Sequence, residues 1–230
     1  MIPWLAREDP FPALEFALRQ PNGLLAAGAD LAPERILGAY RKAIFPWYAE
    51  GQPVLWWSPD PRMVLRVEDF HIGRSLAKVL RSKRFELRCD TAFRQVMDGC
   101  AAPRKGDSGT WIVPEMVEAY NRLHTLGYAH SVESWRDGVL VGGLYGVAIG
   151  RMFYGESMFA REGDASKVAL VHLVEKLKKS GFPLIDCQQE TAHLARFGAR
   201  SMARRQFARE IAALVNCPDP PGVWTEALFQ

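Results

Sequence analysis

The 230-residue chain is 48% hydrophobic and has a formal net charge of +3, a composition that supports one or two domains with real cores. No apolar run approaches the ~20 residues of a membrane span. Residues 1–12 hold three charged side chains and no apolar signal segment, so we expect a cytoplasmic protein that does not enter a membrane. The four cysteines form no C-x-x-C pair and the histidines are scattered, so we predict no metal, no disulfide framework and no cofactor.

The first 62 residues predict a small α/β domain. A short helical stretch is expected after Pro12, over residues 13–19. Pro33 stands where a second helix would begin, and Ile36 and Tyr40 fall on one face of that helix.

Three tryptophans, Trp47, Trp56 and Trp57, lie within eleven residues and are bracketed by prolines. One interpretation is that these tryptophans pack in the core of the small N-terminal domain, and we expect this for Trp56. The other is an aromatic wall, because proteins hold unpaired bases by stacking them on aromatic rings. Trp47 is our candidate for that wall.

Residues 63–230 predict a second domain of the α+β class, with a central, mostly antiparallel sheet flanked by helices. Alternating apolar residues indicate strands, and apolar residues at helical spacing indicate helices. The expected strands before residue 139 are 63–67, 85–89 and 129–135, and the expected helices are 71–82, 92–100 and 114–126.

A basic stripe runs from His71 to Arg88, where six lysines and arginines face one glutamate. Such a stripe can follow the phosphates of an RNA, and it can equally be the solvated face of a helix. The candidate phosphate contacts are Arg74, Lys78, Arg81, Lys83 and Arg84.

The stretch from Val139 to Gln188 predicts the order strand, strand, helix, strand. Glu156 is expected at a strand end. Asp186 and Gln188 are two residues apart on the last strand, so their side chains should share one face. A lone aspartate is usually a cap or a salt-bridge partner, but polar residues on an apolar strand also indicate a functional site.

Eight segments between about Gly23 and about Phe207 are distinctive in sequence and occur in a fixed order. They are GLLAAGADLAPERILGAYRKAIFPWY, WWSPDPR, GTWI, MVEAYNRLHTLGYAHSVE, VGGLYGVAIG, FYGESMF, ASKVAL and LIDCQ. Together they resemble the leucyl/phenylalanyl-tRNA–protein transferase family. That resemblance implies a bacterial cytoplasmic enzyme that moves leucine or phenylalanine from aminoacyl-tRNA to proteins beginning with arginine or lysine, creating a degradation signal. It also implies that the second domain is similar to GNAT acetyltransferases.

The resemblance also implies roles for individual residues. Asp186 would polarise Gln188, whose amide oxygen accepts a hydrogen bond from the attacking amine. Glu156 would hold the amino group of the bound aminoacyl moiety or help to place the acceptor. An apolar cavity would select the side chain, with Trp47 and Trp111 near the terminal adenosine or that side chain. The cavity residues would be Leu144, Phe153, Met158, Leu173 and Leu177, each of which alone is typical of a core.

At three of these positions the chain departs from better-known members of the family. They carry Met at the position of Leu144 and aromatic residues at those of Leu173 and Leu177. We therefore expect a wider pocket, whose preference between leucine and phenylalanine is open.

The expected partners are a leucyl- or phenylalanyl-tRNA and a protein with an N-terminal arginine or lysine. The tRNA body would contact the basic stripe through phosphates, and the cationic acceptor would need acidic residues, for which Glu156, Asp186 and Glu190 are candidates. We expect a monomer.

Two alternatives belong to other classes of protein. An acyl-CoA N-acetyltransferase would share the fold, but its R/Q-x-x-G-x-G/A loop is missing from REGDASKVAL. A non-catalytic RNA-binding module would explain the basic stripe and the tryptophans, but it leaves Asp186 and Gln188 without a role.

Overall fold

A computed structural model describes residues 1–103, 112–220 and 222–224. Within these ranges the chain forms two β-sheets, of four and seven strands, and seven α-helices, none of them long and apolar enough to cross a membrane. The strands are β1 (Trp4–Leu5), β2 (Leu24–Gly28), β3 (Phe45–Pro46), β4 (Leu55–Trp57), β5 (Arg62–Arg66), β6 (Glu86–Cys89), β7 (Ala129–Arg136), β8 (Val139–Ile149), β9 (Met152–Ala160), β10 (Leu184–Gln188) and β11 (Arg200–Met202). The helices are α1 (Pro33–Tyr40), α2 (Arg74–Arg81), α3 (Phe93–Ala101), α4 (Pro114–Thr125), α5 (Ala165–Lys179), α6 (Ala192–Ala195) and α7 (Arg204–Leu214).

The smaller sheet has the strand order β1-β2-β4-β3 and lies in the N-terminal part of the chain. Trp56 on β4 is fully buried, and its indole nitrogen donates to the carbonyl oxygen of Gly28 at 2.9 Å. The core interpretation of Trp56 is therefore confirmed, because a buried indole has found the acceptor it needs.

The larger sheet has the order β11-β5-β10-β9-β8-β7-β6. Neighbouring strands are antiparallel except β9 and β10, which are parallel and joined through α5. The predicted α+β class, with a mostly antiparallel sheet flanked by helices, is confirmed.

The two faces of the larger sheet bury different clusters. Tyr145 and Ile149 on β8 pack in a cluster that also contains Trp56, so the two sheets share a core. Leu144 points to the opposite face and packs in a second cluster with Val168 of α5. Alternation of side chains along a strand produces this division. The division of the chain into domains at residue 62 remains a prediction.

Three local expectations were wrong. The helical stretch expected over residues 13–19 is a single 3₁₀ turn, Leu14–Phe16. The helix expected from His71 begins only at Arg74, because Gly73 has an extended backbone and precedes the first helical residue. Glu156 lies in the middle of a strand, because pairing with β8 continues to Ala160.

The first turn of α5 lies directly on β8. A Cβ atom on Gly142 would be 2.5 Å from the Cβ of Ala165 and 3.1 Å from its carbonyl carbon. This close approach is possible because Gly142 has no side chain, and it fixes the height of α5 above the sheet.

We expect Gly142→Ala to lower the free energy of unfolding by about 1–3 kcal/mol, because the added methyl group overpacks the contact with α5. The matched control is Gly38→Ala in α1, where a Cβ would meet nothing within 4 Å. The control should gain up to about 1 kcal/mol from helix propensity. Urea denaturation of both variants checks the difference, and equal stability of the two would contradict the close approach.

Candidate active site

A largely apolar cavity of about 490 Å³ is bounded by α5, by β8, β9 and β10, and by the segment after β10. This volume lies within the range of small-molecule sites. Its polar end carries Glu156, Asp186 and Gln188. The apolar wall includes Leu65, Leu144, Phe153, Met158, Leu170, Leu173 and Ile185.

Most of the predicted site residues meet at this cavity. Leu144, Phe153, Met158 and Leu173 line it. Leu177 is not among its lining residues and is fully buried in the core on the α5 side of the sheet, one helical turn beyond Leu173. Trp111 lies outside the described residues.

Trp47 also lines the cavity and has a fixed position. Its ring meets that of Trp57 edge to face, with centroids 5.4 Å apart, and the Trp57 indole nitrogen donates to the Trp47 carbonyl at 2.6 Å. A half-buried indole held in this way suits stacking against a planar group.

The Glu156 carboxyl group is the meeting point of four elements. Tyr40 at the end of α1 donates to Oε1 at 2.6 Å, and Tyr120 on α4 donates to Oε2 at 3.1 Å. The amide nitrogen of Gln188 donates to Oε1 at 2.7 Å. Burial raises the pKa of Glu156 to about 7, even though the tyrosine hydroxyls favour the charged form.

The protons available to this cluster can be counted. The Tyr40 and Tyr120 oxygens are 2.5 Å apart, so together with their contacts to Glu156 they form three oxygen pairs at hydrogen-bonding distance. Two hydroxyls supply only two protons. All three oxygen pairs are hydrogen bonds only when Glu156 carries a third proton. Glu156 and the two tyrosines can therefore hold an extra proton near neutral pH.

A fully buried ion pair lies at the polar end of the cavity, where Asp186 is one of the lining residues. Arg62 donates from Nε and Nη2 to the two carboxylate oxygens of Asp186, at 2.8 and 2.6 Å, and neither side chain is exposed. Arg62 also donates to the carbonyl oxygen of Ala43 at 3.2 Å, and its guanidinium lies over the rings of Phe45 and Phe207. Held this way, Asp186 is suited to orient other groups and not to take a proton from a substrate.

Gln188 takes its position from that ion pair. Its backbone nitrogen donates to Asp186 Oδ1 at 2.8 Å, and its φ of +61° lies in the left-handed region. A register shift between Asp186 and Gln188 accompanies this conformation, so the simple two-residue alternation that we expected is interrupted. No described residue donates to the Gln188 amide oxygen, which can therefore accept from a bound group.

Sequence reasoning missed Tyr40, Tyr120 and Arg62 as site residues. Both tyrosines lie on the apolar faces of their helices, where an aromatic residue is normally core. The available signal for Arg62 was its place in the WWSPDPR segment, immediately before an apolar strand.

Five of the six cations of the basic stripe are exposed, and the sixth, Arg88, is half-buried over the ring of Trp135. Arg74, Lys78 and Arg81 lie on α2, opposite the buried Leu76. Arg84 contacts the start of α5 by donating to the carbonyl oxygen of Gly163. Lys83, in the turn after α2, is exposed too, and the role of the whole stripe in RNA binding stays a prediction.

Among the described residues, no group of three or more His, Cys, Asp or Glu side chains is arranged to hold a metal ion. The polar groups that reach the cavity are instead the Glu156 carboxyl and the Gln188 amide, and two buried phenol hydroxyls support the carboxyl from behind. An apolar cavity ending in a few convergent polar groups, one with a shifted pKa, defines an enzyme of the α+β class.

Comparison with known proteins identifies the family. Residues 64–212 match the leucyl/phenylalanyl-tRNA protein transferase family and residues 29–60 match its N-terminal domain. A leucyl/phenylalanyl-tRNA–protein transferase from Thiobacillus denitrificans is 62% identical over 94% of both chains. One from Aromatoleum aromaticum is 59% identical over 98% of this chain and 95% of its own. The chain therefore belongs to the leucyl/phenylalanyl-tRNA–protein transferase family.

Similar solved structures include L-PGS from Bacillus licheniformis and a GCN5-related N-acetyltransferase from Kribbella flavida. The first is 11% identical with a TM-score of 0.39, over 81% of this chain and 63% of that one. The second is 12% identical with a TM-score of 0.38, over 74% of this chain and 61% of that one. At these scores the similarities carry no argument about function.

The Arg62–Asp186 pair generates a stability prediction. We expect Arg62→Met or Asp186→Leu alone to cost about 3–5 kcal/mol, because each leaves a buried charge without its partner. The double substitution should recover a large part of that loss, since no charge is then buried. Urea denaturation of the three variants checks this, and simple addition of the two single losses would contradict it.

Glu156 generates a pH prediction. Its folded pKa of about 7 exceeds its ordinary 4.5, so its contribution to stability is fully present below about pH 4.5 and is lost as pH rises through 7. Glu156→Gln removes this dependence, so the variant should gain stability relative to wild type as pH rises, by on the order of 3 kcal/mol or less.

Denaturation at several pH values measures the difference, with Glu118→Gln on the surface of α4 as the matched control. The control curve should run parallel to that of wild type. A parallel curve for Glu156→Gln would mean that Glu156 does not titrate near pH 7 in the folded protein.

Proposed function

We propose that this protein transfers leucine or phenylalanine from aminoacyl-tRNA to the α-amino group of proteins that begin with arginine or lysine. The proposal rests on one observation above all: Glu156 and Gln188 meet at the polar end of an apolar cavity. Membership of the family supports transfer from leucyl- or phenylalanyl-tRNA to a protein, because its members carry that activity in their name.

The reaction requires neither a covalent intermediate on the protein nor a separate energy source. An aminoacyl-tRNA is an activated ester, and the attacking α-amine, with an ordinary pKa of about 8, is already partly neutral near pH 7. Attack of the amine forms the new peptide bond, the ester C–O bond breaks, the amine loses a proton and the ribose oxygen gains one. Orientation, an acceptor for the amine proton and a donor for the ribose oxygen are sufficient.

The polar cluster can meet these requirements. The unfilled amide oxygen of Gln188 accepts from the attacking amine and orients it on the ester. Glu156, with its two tyrosine partners, takes up the proton and can return it to the ribose oxygen. Asp186 acts through Gln188, whose backbone it holds, because its own oxygens are occupied by Arg62.

The apolar wall of the cavity suits the side chain of the transferred residue. Leucine and phenylalanine have no polar group beyond the backbone, so only apolar contact and shape can select them. We assign these contacts to four residues that line the cavity, Leu144, Phe153, Met158 and Leu173. We assign stacking on the terminal adenine to Trp47, which also lines it.

The remaining partners lie at the surface. We assign the phosphates of the tRNA body to Arg74, Lys78, Arg81, Lys83 and Arg84, because phosphate contacts tolerate any tRNA sequence. We assign Glu156 and Glu190 to binding the positively charged N-terminal residue of the acceptor protein. Asp186 is not assigned to it, because Arg62 compensates its charge. We propose that the protein acts in the cytoplasm and as a monomer.

The test is transfer of radiolabelled leucine and phenylalanine from charged tRNA to a peptide beginning with arginine. Gln188→Ala and Glu156→Gln should each lose on the order of 100-fold in kcat, the typical loss for a positioned proton-transfer group. Gln206→Ala, on the exposed surface of α7, is the matched control and should transfer at the wild-type rate.

A peptide with an acetylated N-terminus should accept nothing, because its α-nitrogen is no longer an amine. If the native chain binds charged tRNA but transfers neither residue to arginine or lysine, the proposed function is wrong.

A further inference from the structure

The C-terminal segment of the chain reaches the wall of the cavity through one aromatic side chain. The ring of Trp224 stacks on that of His130, with centroids 4.0 Å apart and planes 7° from parallel. Its ring is also 5.8 Å from that of Phe153, at an angle of 32°. Trp224 is half-buried and packs against the core cluster on the α5 side of the sheet.

Phe153 connects this contact to the cavity. Its side chain is fully buried and lines the cavity. A Cβ atom on Gly146 would be 2.5 Å from the Phe153 Cζ, so the ring lies across β8 at a position with no side chain. On β7, His130 is the residue opposite Gly146. The phenyl ring therefore has the cavity and the Trp224 indole among its neighbours.

His130 is a rigid support for the indole. Its Nδ1 is 2.7 Å from Asp90 Oδ2 and its Nε2 is 3.1 Å from the carbonyl oxygen of Gly127. These two contacts hold the imidazole ring in place, so the face on which the indole stacks has a fixed position.

We propose that Trp224 is a positioning residue for amino-acid selection, which fixes the Phe153 ring and so sets the width of the cavity. The inference rests on the proposed function only in assuming that this cavity takes the leucyl or phenylalanyl side chain. Without the indole, the phenyl ring can retreat into the vacated space, and a wider cavity favours the larger side chain.

The C-terminal segment makes other contacts with the rest of the protein, so we expect it to stay bound when the Trp224 indole is removed. Asp219 accepts from the backbone nitrogen of Gly150 at 2.8 Å, and Val223 is almost fully buried beside Trp224. Val223→Ala is therefore the matched control, because it weakens the packing of the C-terminal segment and keeps the Trp224 ring next to Phe153.

The experiment compares kcat/KM for phenylalanyl-tRNA and leucyl-tRNA in wild type, Trp224→Ala, Trp224→Phe and Val223→Ala. We expect Trp224→Ala to shift the ratio towards phenylalanine by about 3- to 10-fold, near the lower limit for a change of apolar pocket size. The shift should arise mainly in KM. Trp224→Phe should restore part of the wild-type ratio, and Val223→Ala should leave the ratio unchanged.

A second measurement separates this inference from the proposed function and does not require transfer. Amide-linked phenylalanyl-adenosine and leucyl-adenosine are unreactive probes, and calorimetry gives their Kd values for each variant. A shifted ratio of Kd values supports the inference even if the wild type transfers neither residue.

Two results would overturn the inference. One is an unchanged ratio in folded Trp224→Ala, as judged by its thermal unfolding, and the other is an equal shift in Val223→Ala. If Trp224→Ala does not fold, the same comparison is made with Trp224→Leu, which keeps apolar volume in the site but removes the ring.

Discussion

The buried Arg62–Asp186 pair is the constraint on which the site depends. It joins β5 to β10 at the edge of the cavity, and the rings of Phe45 and Phe207 close over it. Two fully desolvated charges are stable only when both are well paired, so the position of each is fixed by the other. The backbone of Gln188 follows from the position of Asp186.

The two carboxyl groups of the site, Asp186 and Glu156, have different environments. Asp186 is paired with the guanidinium of Arg62, whereas Glu156 accepts hydrogen bonds from neutral donors only: two phenols and an amide. Burial without a compensating cation raises the pKa of Glu156 to about 7. In the proposed reaction, these different environments suit Asp186 to orient Gln188 and Glu156 to exchange a proton.

The site brings together distant parts of the chain. Tyr40 and Trp47 come from the N-terminal region, Tyr120 comes from α4, and the Trp224 ring near Phe153 comes from the C-terminal segment. The shared hydrophobic core holds the N-terminal region against the larger sheet, and this keeps the Tyr40 hydroxyl within 2.6 Å of Glu156. A site assembled in this way responds to substitutions far from it in sequence.

The sequence alone determined the strand–strand–helix–strand order over 139–188 and, through family resemblance, most of the cavity wall, because periodicity and local motifs are short-range properties. It could not determine that Glu156 lies in mid-strand, that a register shift separates Asp186 from Gln188, or that Leu177 points into the core. Nor could it pair Arg62 with an aspartate 124 residues away. Only the tertiary structure decided these features, because strand order and burial bring those groups together, and neither can be read from local spacing.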